Sequence, residues 1–131
     1  MDPAAEGKVY PAVGFVVDPE RVAAFRSLFG IEEGVPPTFA TAAEFAALPQ
    51  VLGDPALGLD LTRVVHGSQE YSYTRPLRER ESLEARARIE SIRHKGGTGF
   101  LAVAIDLVDA DGETVCTARS QLFERGPGSD A

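Results

Sequence analysis

From Thr38 to Leu48 the chain reads TFATAAEFAAL, and between Phe39 and Leu48 only Thr41 and Glu44 break the apolar run. The run is rich in helix-forming alanine and free of glycine and proline. A helix apolar on almost every side must be surrounded, because no face of it prefers water. This predicts a central helix over about residues 38–48, with alanines small enough for a sheet to approach closely. Pro36-Pro37 prevent a helix before it, Thr38 is positioned to cap it, and Pro49 is expected to close it.

The second half supplies the surrounding sheet. LEARARI alternates Leu83, Ala85, Ala87 and Ile89 against Glu84, Arg86, Arg88 and Glu90, the period of a half-buried strand. The phase slips near Ser91-Ile92, which predicts a bulge or strong twist. KGGTG reads as a hairpin turn with Gly96-Gly97 at positive φ, and DADG as a second turn through Asp111-Gly112. GFLAVAIDLVD and ETVCTARSQLFER are the strands on either side of that second turn. RVVHGSQEYSYTRP is a further strand, ended by Pro76. Upstream, VDPERVAAFRSLFG carries helix signals: Asp18 as N-cap, Pro19 in the first turn, Gly30 as the stop. Val22, Phe25, Leu28 and Phe29 should form its apolar face, and VGFVV before it reads as a short strand. Helices first and antiparallel strands later make the fold class α+β.

The chain has 131 residues, which predicts one domain, placed at 7–125 with flexible termini at 1–6 and 126–131. The net charge of −7 argues against nucleic-acid binding. No run approaches a membrane span, and the start MDPAAEGKVYP lacks a secretory pattern. The single cysteine, Cys116, permits no internal disulfide and reads as a buried, inert thiol. Together these favour a cytoplasmic protein. The charge is uneven, with seven Lys/Arg against four Glu from Arg75 to Lys95. That segment either meets an anionic ligand or acidic carrier, or is a solvated sheet face.

Three stretches resemble one family. VPPTFATAAEF resembles the start of the central helix of the MaoC-like dehydratases. HGSQEYSYTRPL resembles the His-Gly-x-Gln strand, ending in Arg/Lys-Pro-Leu, of their N-terminal-type (FAS1-like dehydratase) domains. HKGGTGFLAVAIDLVDADGETVCTARSQLF is similar to the final strands of the same domains. The resemblance implies a hot-dog fold, a curved antiparallel sheet wrapped around a central helix. It also implies hydration or dehydration of 2-enoyl and 3-hydroxyacyl thioesters on CoA or acyl carrier protein, with no cofactor beyond the substrate's own pantetheine. Members act in fatty-acid and related acyl metabolism. The family's catalytic motif, Gly-Asp-x-Asn-Pro-x-His before the central helix, is absent: the segment reads only GIEEGV. The resemblance is therefore to the non-catalytic half, which shapes the acyl pocket for a partner carrying the Asp and His, or pairs with itself.

Several residues are candidates on this basis. Backbone N–H groups at Pro37, Thr38 and Phe39 are candidates to face a thioester oxygen, proline's nitrogen excepted, or serve as ordinary capping. His66, Gly67 and Gln69 carry over as motif positions of the pocket. His66 either hydrogen-bonds within the sheet or at a subunit contact, or acts as a base, for which Glu70, Asp54 and Asp60 offer no diagnostic spacing. Gly67 should permit a bulge or close backbone approach. Glu44 is either a base with a raised pKa, as in hot-dog thioesterases, or a carboxylate facing solvent or a partner at one edge of the helix. Tyr71 and Tyr73 read as packing residues, and His94 as solvated at a hairpin tip. No Cys/His cluster suggests a metal. Three functions stay open: an accessory dehydratase subunit, a thioesterase using Glu44, and an acyl-thioester-binding homodimer.

Overall fold

A computed structural model describes residues 1–126. Its elements are β1 (Val13–Val16), α1 (Pro19–Phe29), α2 (Ala40–Leu52), β2 (Val64–Tyr73), β3 (Ser82–Lys95), β4 (Thr98–Val108) and β5 (Thr114–Glu124). Short 3-10 turns cover Pro3–Ala5, Pro37–Phe39 and Leu61–Arg63. The five strands form one curved antiparallel sheet in the order β1-β3-β4-β5-β2. Its inner face carries Leu83, Ala85, Ala87 and Ile89 from β3, Leu101, Val103, Ile105 and Leu107 from β4, and Cys116, Ala118 and Leu122 from β5, all buried. Helix α2 lies against this face.

The α+β order and the alternation in β3 are as the sequence implies, including a register shift between Ile89 and Ser91. Glu6 explains how that bulge is held: its Oε2 accepts the Ile92 N–H at 2.8 Å. This contact belongs to a segment expected to be loose. Residues 1–6 are docked instead, with Ala5 buried and the Asp2 N–H bonded to Leu57 O at 2.8 Å. The flexible tail expected at 126–131 lies, from residue 127 onward, outside the described residues.

Helix α2 differs from expectation in three ways. It begins through the Pro37–Phe39 turn, and Thr38 makes no side-chain cap. It also passes through Pro49 and ends at Leu52. Pro49 and Phe45 both lie on its exposed face, so the Phe45 carbonyl left without an N–H partner lies toward water. The extra turn gains the fully buried Val51. Finally, the helix buries a stripe rather than its whole surface: Ala40, Ala43, Glu44, Ala47, Leu48 and Val51 follow the i, i+3, i+4 rule, while Phe45 is 53% exposed.

Helix α1 is capped as expected, with Asp18 accepting the Glu20 N–H at 3.0 Å and Gly30 at φ 67°. Its apolar face is only half used. Val22 is buried and Phe25 meets Phe39 edge-on at 5.7 Å, but Leu28 and Phe29 are exposed. Phe39 also contacts Phe15 at 6.4 Å. It is the wedge that fixes the start of α2 between β1 and α1.

Candidate functional site

The His-Gly-x-Gln stretch lies on β2, which among the described residues is an edge strand paired only with β5. Residues 66 and 69 are an odd number apart, so a regular strand would send them to opposite faces. The pairing shifts between His66 and Ser68, leaving Gly67 as the extra residue. His66 then pairs with Leu122 and Gln69 with Ser120, and both fall on the inner side. Gly67 lies close under a ring: a Cβ there would lie 2.1 Å from Phe123 Cε2, so the Phe123 side chain would have to move. His66 itself is exposed at the rim, its Nε2 3.1 Å from Ser68 O.

Gln69 reaches inward to Glu44, donating from Nε2 to Oε2 at 2.7 Å. Ser120 Oγ lies 3.0 Å from the same oxygen and 2.6 Å from Gln69 Oε1. Tyr71 OH donates to Glu44 Oε1 at 3.4 Å and is hydrogen-bonded to Thr41 Oγ1. Glu44 is 1% exposed. It faces neither solvent nor an open edge, contrary to that expectation, because β2 and β5 close over it with three polar side chains. Ser120 was legible as the polar interruption between Ala118 and Leu122. Its partnership with Glu44, 76 positions away, was not.

Burial raises the Tyr71 hydroxyl above the ordinary tyrosine value, with the Glu44 carboxylate adding to the rise. Burial likewise pushes the Cys116 thiol up to about 11, which keeps it protonated and unreactive. Tyr73, two residues beyond Tyr71, donates to Pro37 O and is also raised by burial. This bond ties the end of β2 to the start of α2. Around it lies an open, largely apolar cavity of about 350 Å³ lined by Val35, Pro37, Tyr73, Thr74, Arg75 and Pro76. Phe39 spends its N–H on Pro36 O and is itself buried. Of Pro37, Thr38 and Phe39, Thr38 alone has an N–H without a hydrogen-bond partner among the described residues.

Arg75 fixes the cavity wall. Its guanidinium bridges Glu81 at 2.7 Å and Asp109 at 3.3 Å, joining the end of β2, the start of β3 and the β4–β5 turn. The Arg-Pro-Leu signature thus has a structural basis. Arg75 locks the corner and Leu77 is buried, while β2 ends at Tyr73, three residues before the Pro76 expected to stop it. Thus Tyr73 and Pro37 meet at the cavity, Gln69 and Glu44 meet in the interior, and His66 stands apart at the rim. Among the described residues no group of three or more His, Cys, Asp or Glu side chains is gathered to hold a metal, and no helix is long and apolar enough to cross a membrane.

An antiparallel sheet curved around one central helix is the hot-dog fold. Solved structures agree. The C-terminally truncated HadBC (3R-hydroxyacyl-ACP dehydratase) complex of Mycobacterium tuberculosis matches with a TM-score of 0.74 at 21% identity, over 91% of this chain and 96% of that one. The ChsH1-ChsH2 complex of the same organism matches with a TM-score of 0.69 at 18% identity, over 98% and 94%. These likenesses show the fold. Residues 15–118 match the family described as the FAS1-like, dehydratase domain region, and the chain belongs to it. It is 40% identical over 95 residues to a UPF0336 protein of Saccharopolyspora erythraea, covering 72% of this chain and 61% of that protein. It is 38% identical over 121 residues to a UPF0336 protein of Streptomyces griseus, covering 92% and 77%. The matched stretch therefore spans about three fifths of the first relative's length.

Proposed function

We propose that this chain is the non-catalytic hot-dog half of an enoyl-thioester hydratase or 3-hydroxyacyl-thioester dehydratase. A MaoC-like partner subunit supplies the catalytic Asp and His, and this chain shapes the acyl pocket, with Pro37, Thr38 and Tyr73 on the wall. The observation that carries the reading is the state of Glu44. It is the carboxylate enclosed by the sheet, and it is sealed from substrate by Gln69, Ser120 and Tyr71. Hydration needs a carboxylate and a histidine sharing one water. His66 and His94 are both exposed, and among the described residues neither is bonded to a carboxylate. The same sealing speaks against Glu44 as a thioesterase base.

Exposed apolar side chains support pairing. Leu28 is 77%, Phe29 63% and Phe45 53% exposed, and among the described residues the outer edge of β2 has no strand partner. A second hot dog, either the catalytic subunit or another copy, would cover them. The substrate is an acyl-CoA or acyl-carrier-protein thioester. The test is hydration of crotonyl-CoA by the chain alone and with an Asp/His-bearing MaoC-like protein. Activity is expected only from the pair. Substantial hydration by the isolated chain, abolished by His66→Ala, would overturn the reading.

A further inference from the structure

Three polar bridges close the seam between the central helix and the edge strand. Tyr73 OH donates to Pro37 O. Tyr71 OH is hydrogen-bonded to Thr41 Oγ1 and lies 3.4 Å from Glu44 Oε1. Gln69 Nε2 donates to Glu44 Oε2 at 2.7 Å. Every second residue of β2 thus meets the next turn of the helix, because two strand residues advance about 6.8 Å and one helical turn about 5.4 Å. The inner-facing residues of β3 and β4, by contrast, are apolar.

The first bridge is also a wall of the cavity at the end of β2. Val35, Pro37, Tyr73 and Pro76 give that cavity its apolar lining, and its volume is about 350 Å³. The corner toward β3 is held by the Arg75 ion pairs with Glu81 and Asp109. An acyl tail that outgrows the cavity can turn inward along the α2–β2 seam or outward into water. Inward, it would part Tyr71 from Thr41 and strip donors from Glu44, a buried carboxylate to which hydrocarbon offers no hydrogen bond. Beneath the helix the layers lie close: Ala40, Ala43 and Ala47 point inward, as do Ala85, Ala87 and Ala118 from the sheet, all fully buried. Outward, each further methylene stays in water and adds nothing to binding.

We infer that Tyr73 sets an upper limit on acyl length, and that the substrate is a short-chain 2-enoyl or 3-hydroxyacyl thioester of crotonyl size. The ring is the wall, the hydroxyl tethers it to Pro37, and the two bridges behind it keep the seam shut. This rests on the acyl-pocket reading above and names its substrate class.

Hydration of crotonyl-CoA, oct-2-enoyl-CoA and dodec-2-enoyl-CoA by the reconstituted pair tests it. An open apolar channel would raise kcat/KM by about fourfold for each added methylene. The wild-type pair should instead hydrate the longer thioesters no better than crotonyl-CoA. Tyr73→Ala should raise the octenoyl-to-crotonyl ratio of kcat/KM by about tenfold. Tyr73→Phe keeps the ring and should leave that ratio unchanged. Thermal unfolding shows whether Tyr73→Ala is folded at the assay temperature, and the wild-type length profile is a test that needs no variant. A wild-type kcat/KM that climbs with length would overturn the inference, because the tail would then have another route. So would a folded Tyr73→Ala pair with an unmoved ratio.

Calorimetry of the pair with butyryl-CoA and octanoyl-CoA separates the two readings. An active pair that prefers octenoyl-CoA sinks the length limit alone. A pair inactive at every length, which still binds octanoyl-CoA no tighter than butyryl-CoA until Tyr73→Ala is made, sinks the dehydratase reading alone. Binding of neither ligand would overturn both.

Discussion

Gln69 on the edge strand donates to Glu44 on the central helix at 2.7 Å, and the Ser120 hydroxyl on the neighbouring strand lies within donating distance of Gln69 Oε1 at 2.6 Å and of Glu44 Oε2 at 3.0 Å. The triangle joins three elements across the interior. A buried carboxylate held by neutral donors costs little while every partner is present and much when one is removed. Glu44→Ala leaves Gln69, Ser120 and Tyr71 facing an apolar void. It should destabilise the fold by about 3 kcal/mol. Glu44→Gln keeps the shape and an acceptor oxygen, and should cost less than half as much. Urea unfolding of both variants measures the difference, and equal losses would show that shape, not hydrogen bonding, holds the triangle.

Gly67 and Phe123 give a second, sterically defined prediction. A methyl group at 67 would overlap the Phe123 ring edge, at 2.1 Å from Cε2. Gly67→Ala should cost about 1–3 kcal/mol through overpacking. Phe123→Leu, which withdraws the ring edge, should recover part of that loss in the double variant. A double-mutant cycle reads this coupling directly. Strict additivity of the two substitutions would mean that the glycine is needed for the bulge backbone and not for the ring.

These two contacts also show what the sequence could and could not reveal. The alternation in β3 and the alanine-rich run of α2 determine layers because burial enforces periods of 2.0 and 3.6 on any soluble chain. The bulge at Gly67 was legible as a glycine within a strand pattern. What followed it was not: only cross-strand register shows that the bulge turns His66 and Gln69 to the same face. Local rules misplaced the end of α2, where Val51 has a buried site one turn beyond Pro49 and tertiary packing outweighs proline's lost bond. The same limit applies to Leu28 and Phe29. Helical spacing marked them as apolar, but nothing local says that the sheet stops short of them. The clasp on Glu44 joins positions 44, 69 and 120, which no spacing rule connects.

The Arg75 corner predicts the acid limb of stability. Asp109 is held below the ordinary carboxyl range first by the Glu113 N–H, then by the Asp111 N–H and Arg75. Glu81 is pushed up by burial, but Arg75 and the Arg78 N–H outweigh this and leave it lowered. Carboxyls depressed in the folded state contribute stability that is fully present above their unfolded values, 3.8 and 4.5 for the two groups. That stability is lost as pH falls through the lower folded values. Wild-type stability should therefore decline below about pH 4.5. Arg75→Met should be less stable at neutral pH and show a shallower decline in acid, because one source of the depression is gone. Denaturation midpoints across that range decide it. A parallel displacement of the two curves would mean that Arg75 contributes packing and no charge.

Tyr73 connects stability to the proposed pocket. Its hydroxyl donates to Pro37 O and lines the same cavity, and burial keeps it above the ordinary tyrosine value. It is therefore a neutral donor throughout the ordinary pH range and has no proton to trade with substrate. Tyr73→Phe removes the bond and keeps the ring, so the fold should lose about 1 kcal/mol. The helix start that the hydroxyl fixes would loosen by a fraction of an ångström. In the reconstituted pair this should raise KM for an acyl thioester with kcat little changed, the pattern of a residue that shapes binding without joining the chemistry. Steady-state kinetics of the pair with Tyr73→Phe separates the two roles. A collapse of kcat at constant KM would place the hydroxyl among the reacting groups and move the catalytic boundary into this chain.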